Sequence, residues 1–176
     1  MTDFSKHIEK NIKPALLVID VQNKYMITIP ARDKELGVFF INLLIELFRK
    51  HDFPIIRIYH SNKENGPFPN TQEFEYPSSI LVKSEDTQII KSYSDSFNKT
   101  NLNEVLTQNE SNTLFLCGQS AIGCVLATRI GAQNNDYKTF IVKDAIMSHL
   151  TEYTKNVEVM FDAVSYDVVK LILENC

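Results

Sequence analysis

The sequence has little from which to build a disulfide framework, a metal knuckle, a membrane span or a nucleic-acid face. Its 176 residues contain three cysteines, an odd number with no CxxC spacing, which indicates neither a disulfide scaffold nor a zinc knuckle. Acidic residues outnumber basic ones, for a formal net charge of −4 and a pI near 5.6. That leaves no electrostatic reason to bind nucleic acid or an anionic membrane. No apolar run approaches the ~20 residues of a membrane span. Met1 to Lys13 reads as a polar arm without the apolar core of a signal peptide, so the expected location is the cytoplasm. The four histidines, His7, His51, His60 and His149, show no ligand spacing. No metal and no cofactor are expected. Neither an internal repeat nor a low-complexity segment occurs.

What is present is an ordinary globular composition, 44% hydrophobic and 23% charged, in a chain sized for one domain, 1–176. Short apolar runs alternate with amphipathic stretches. Ala15 to Ile19, Pro54 to Tyr59, Thr87 to Ile90, Leu114 to Cys117 and Thr139 to Val142 read as strands, with Ala163 to Ser165 as a last edge strand. Leu36, Phe39, Phe40, Leu43, Leu44 and Leu47 recur at helical spacing, so Asp33 to His51 is a helix. Asn101–Gln108, with Asn101 as cap and Glu104 three residues on, Val125–Asn134, Thr151–Phe161, capped by Thr151, and Asp167–Glu174 complete the set. This pattern predicts an α/β fold of three layers, α-β-α, around a mostly parallel sheet. The polar stretch 62–86, with Phe68, Phe74 and Tyr76 in it, is long for a compact domain, as a lid, a binding loop or a disordered segment is, and its aromatics favour a loop that folds over something.

Three strands carry a reactive side chain at or just beyond their carboxyl ends: Asp20, Lys91 and Cys124. Open α/β sheets bind ligands along that edge. Gly118 is expected to break its strand, with Cys124 near the first turn of the helix that follows, where the dipole favours a thiolate. A thiol attacks a carbonyl only as thiolate and needs a base in reach. Asp20 suits that task, Lys91 can hold the carboxylate, and backbone N–H groups of Ser120 and Cys124 can form an oxyanion hole. Cys117, inside an apolar run, suits core packing. Cys176 is incidental, and Asp144, ending the fifth strand, suits a turn or cap.

Three segments, Leu17-Val18-Ile19-Asp20-Val21-Gln22-Asn23, Lys91-Ser92-Tyr93-Ser94-Asp95-Ser96-Phe97, and Cys117-Gly118 with Cys124-Val125-Leu126-Ala127-Thr128, resemble in order and spacing the isochorismatase-like cysteine hydrolases. The family includes nicotinamidases, N-carbamoylsarcosine amidases and isochorismatases. The resemblance implies a six-stranded parallel sheet of Rossmann-like form, the triad Asp20, Lys91 and Cys124, a cis peptide at Gln119–Ser120, and a homo-oligomer, dimer or tetramer. It also implies aromatic pocket walls at Tyr25 and Phe97; His60, closing a strand beside that pocket, and Gln22 and Gln119 are further candidates for substrate contact. Two departures matter. Ile58-Tyr59-His60 stands where metal-bearing relatives have Asp-x-His, and position 121, commonly threonine, is alanine. The expected activity is metal-independent cleavage of a small amide or ureido C–N bond. A vinyl-ether hydrolase and a silent small-molecule or partner-binding relative are the alternatives.

Overall fold

The computed structural model describes residues 11–176. The expected polar arm lies mostly outside the described residues. The chain runs β1 (Pro14–Ile19), α1 (Asn23–Met26), α2 (Ala31–Lys50), β2 (Ile55–His60), β3 (Thr87–Lys91), α3 (Leu102–Gln108) and β4 (Thr113–Gln119). A π-helical turn, Ala121–Val125, then leads into α4 (Leu126–Asn134), β5 (Lys138–Met147), α5 (Thr151–Met160) and α6 (Tyr166–Leu173). The strands form one parallel sheet in the order β3-β2-β1-β4-β5.

Among the described residues the sheet has five strands, not six. The expected sixth survives as a single parallel bridge, Val142 to Val164. β1 is central and buried along its whole length, which is why its sequence is a continuous apolar run rather than an alternation. Leu16 and Val18 pack on one face with α2 and α6, while Ala15, Leu17 and Ile19 pack on the other with α3 and the start of α4.

Several boundaries differ from the sequence reading for local reasons. β4 does not break at Gly118 but continues to Gln119. Gly118 has φ +110°, and a Cβ there would sit 2.1 Å from the Ile19 carbonyl oxygen, so only glycine lets β4 approach β1 this closely. β5 runs past Asp144 to Met147 because its register slips between Leu116 and Gly118. Asp144, at φ +62°, lies in that irregularity and donates its N–H to Glu158 Oε1 at 2.7 Å. Asn101 and Thr151 do not cap their helices through their side chains; the Thr151 hydroxyl donates instead to Asp33 Oδ2 at 2.6 Å.

The loop 62–86 is not a lid. Phe74, Tyr76 and Ile80 are buried in the α2-side core. Tyr59 stacks on Phe74 at 4.8 Å and meets Tyr76 at 4.5 Å. The Tyr76 hydroxyl bridges the carbonyls of Val18 (2.7 Å) and Ile58 (2.8 Å) at the carboxyl ends of β1 and β2.

Candidate active site

Asp20 follows β1 directly, in a left-handed conformation (φ +51°) that Asp tolerates better than most residues. Its backbone is held on both sides. Its N–H donates to the Ile58 carbonyl at 2.9 Å, and the Gln119 side-chain amide donates to its carbonyl at 3.0 Å. The side chain is 2% exposed over the residue. A carboxylate this dry needs a partner, and Lys91, 1% exposed, supplies it: Nζ donates to Asp20 Oδ2 at 2.7 Å.

β3 and β1 are not neighbours, so Lys91 reaches across the end of β2. There it also meets His60, with Nζ 3.3 Å from Nδ1. The ammonium can only donate, so Nδ1 accepts and the ring proton sits on Nε2. Burial and the adjacent ammonium both push the His60 pKa down, keeping the ring neutral. Gln22 fixes this residue from behind. Its Oε1 accepts from the His60 N–H at 2.8 Å and its Nε2 donates to the His60 carbonyl at 3.1 Å. Gln22 is fully buried in that task, so it supports the wall of the site rather than lining it.

Cys124 comes from the π-helical turn after β4. Donor atoms of Asp20, His60 and Cys124 all lie within 4.8 Å of one another. Among the described residues, Asp20 Oδ1, buried, has no hydrogen-bond partner. The thiol is not acidified by this setting. Burial, followed by the charge of Asp20, pushes its pKa up to about 12, against the opposing pull of Lys91. The expectation of a helix-stabilised thiolate is therefore corrected: dehydration and the Asp20 carboxylate outweigh the Lys91 ammonium. Burial likewise holds the Asp20 carboxyl above its ordinary value, against the pull of Lys91 and Cys124, making it a stronger base than a surface aspartate.

The three residues face a cavity of about 210 Å³, lined by Asp20, Tyr25, Thr28, His60, Gln119, Ser120, Cys124 and His149. The Gln119–Ser120 peptide at its edge is cis. The Ser120 hydroxyl lies 3.2 Å from that of Ser148. The cavity lining does not include Phe97, which packs against Tyr137 at 5.7 Å on the α3–α4 side, and no residue of 62–86 lines it. Two lining residues, Thr28 and His149, escaped the sequence reading. His149 follows the carboxyl end of β5, the right edge for a ligand, but an apparent strand end at Val142 hid it. Thr28 carries no signal that a pattern search would find.

A family model described as the isochorismatase domain matches residues 14–166. An uncharacterized isochorismatase family protein of Bacillus subtilis, YddQ, is 30% identical over 140 residues, covering 74% of this chain and 76% of that protein. N-carbamoylsarcosine amidase from Thermoplasma acidophilum superposes with a TM-score of 0.74 at 23% identity, covering 88% of this chain and 95% of its own. A cysteine hydrolase from Pseudomonas syringae pv. phaseolicola superposes with a TM-score of 0.80 at 17% identity, covering 93% of each chain. At these identities the structural likeness is one of fold.

Proposed function

The chain belongs to the isochorismatase family of hydrolases, and from its site we propose that it cleaves a C–N bond of a small amide or ureido compound through Cys124, without a metal. The observation that carries this reading is the buried Lys91–Asp20 ion pair, whose second carboxylate oxygen is unpaired beside a protonated thiol.

Asp20 takes the thiol proton as Sγ attacks the substrate carbonyl carbon. The developing oxyanion is met by the N–H groups of Ser120 and Cys124. Collapse breaks the C–N bond, and the proton on Asp20 passes to the departing nitrogen. Asp20 then removes a proton from water as it attacks the thioester, releasing the acid and returning the proton to Sγ. Lys91 holds Asp20 ionised between steps.

The cavity narrows the substrate. A space of about 150 Å³ takes benzene, so about 210 Å³ suits a molecule of roughly eight heavy atoms. Its lining contains no Arg or Lys, and Lys91 is committed to Asp20. This favours an uncharged amide over a dicarboxylate vinyl ether. Ile58, in place of the metal-bearing relatives' aspartate, supports the metal-free reading. The test is a hydrolysis screen of small amides, ureido acids and vinyl ethers with wild type and Cys124→Ala. Expected is amide turnover with a trapped mass adduct on Cys124, absent from the variant. Vinyl-ether turnover that survives Cys124→Ala would overturn the proposal.

A further inference from the structure

We infer that Asp20, His60 and Cys124 form a reversible inhibitory site for a thiophilic divalent cation of the zinc or cadmium class. The inference concerns binding, and stands whether or not the bond cleaved is an amide.

Three observations carry it. The three residues each offer one donor atom, of types O, N and S, and these atoms lie within 4.8 Å of one another. Ligands at about 2.0–2.3 Å in a tetrahedral shell are separated by about 3.5 Å, so closure needs a contraction of roughly 1 Å, and both Cys124 and His60 are only half-buried. Asp20 Oδ1 is buried, unpartnered and belongs to a residue facing the cavity. The cavity itself supplies the open fourth position for water. One sulfur, one imidazole and one carboxylate form a borderline-soft set that selects zinc or cadmium over magnesium or calcium. No spacing in the sequence signals it, because the ligands come from the ends of β1 and β2 and from the turn after β4.

Lys91 opposes the ion but does not exclude it. Its short contact is to Oδ2, leaving Oδ1 free, whereas its contact to His60 Nδ1 is the longer one at 3.3 Å. With the thiolate formed, two negative charges face one ammonium. Binding exchanges the S–H proton for the metal: the S–H bond breaks, an S–metal bond forms, and one proton passes to solvent without any change of oxidation state. The ion then occupies nucleophile and base together, so turnover stops until a chelator removes it.

The experiment titrates cadmium chloride into the full chain carrying Cys176→Ser and follows the ultraviolet thiolate-to-cadmium charge-transfer band. Expected is one cadmium per chain, one proton released, displacement of the band by zinc, and protection of Cys124 from iodoacetamide that a chelator reverses. His60→Ala and Asp20→Asn should each weaken binding about tenfold or more, Cys124→Ser should abolish the band, and Lys91→Met should tighten binding. Thermal melts and circular dichroism show that each variant is folded. A band that is absent, that survives Cys124→Ser, or that is indifferent to both His60→Ala and Lys91→Met overturns the inference. Failure of the amide screen with an intact cadmium site would sink only the hydrolytic reading.

Discussion

Replacing Asp20 with asparagine separates the two things a carboxylate does to a nearby thiol. As a base it accepts the proton during attack; as a charge it makes the resting thiol harder to ionise. Two unit charges 4.8 Å apart, the outer limit of the donor spacing, interact by about 3.5 kcal/mol at an effective dielectric near 20. That corresponds to about 2.5 pH units. The Asp20→Asn change keeps the shape and the Gln119 contact while removing the charge, and Lys91 then faces the sulfur alone. The thiol should ionise about two pH units below its wild-type value of about 12. Turnover should nonetheless fall by roughly 10²–10⁴, the usual worth of a positioned base. The assay is iodoacetamide alkylation against pH in a Cys176→Ser background, where Cys117 stays silent because burial raises its thiol pKa strongly. An Asp20→Asn midpoint equal to or above wild type would refute the electrostatic argument.

Lys91→Met should abolish turnover and cost about 3–5 kcal/mol in denaturant melts, since it strands a buried carboxylate; adding Asp20→Asn should recover most of that loss. The acid limb of kcat/KM should lie above the ordinary carboxylate range, because Asp20 must be ionised to act and burial raises its pKa; a limb at the usual value would count against Asp20 as base. The same raised pKa means that Asp20's contribution to folding is fully present below its unfolded value and is lost as pH rises through its folded one. Melts of wild type and the Asp20→Asn/Lys91→Met double variant should therefore diverge in favour of the variant between those two pH values. Tyr76→Phe should cost about 1–3 kcal/mol in chemical denaturation, as the buried hydroxyl bond to the Val18 carbonyl is lost, while Ile58 keeps the Asp20 N–H as donor.

The layers, the central strand and the three residues at the sheet edge were legible because each rests on local pattern. A strand buried on both faces must be apolar throughout, and a carboxylate placed just after it must have a reason. What was illegible depends on distance in space. Nothing in Phe74-Glu75-Tyr76 says that its aromatics turn inward under Tyr59 rather than over a ligand. Gln22 reads as a polar residue beside a pocket until its amide is seen clamping the His60 backbone. Phe97 has the right neighbours in sequence but packs against Tyr137. The raised thiol pKa was not legible, because its causes, burial and the Asp20 charge, come from β1 and the packing around the turn rather than from the local sequence.

The order of the strands explains why the site is arranged as a neutral thiol beside an ion pair. At rest the charges are one carboxylate and one ammonium, and the sulfur is uncharged. In the proposed transfer of a proton from Cys124 to Asp20, the site would hold one thiolate and one ammonium, again without net charge. A dry cavity resists the creation of charge more than its relocation, so the transfer is far cheaper than ionising the thiol to water. For this to work the ammonium must serve both anions without moving. Reaching across β2 from the edge strand, Lys91 lies within 2.7 Å of Asp20 and is steadied by the His60 nitrogen on the way. The parallel order β3-β2-β1-β4 thus places the Asp20 carboxylate, the Lys91 ammonium and the Cys124 thiol on one edge, and the proposed mechanism uses the raised thiol pKa to keep Cys124 protonated until a substrate carbonyl is in place.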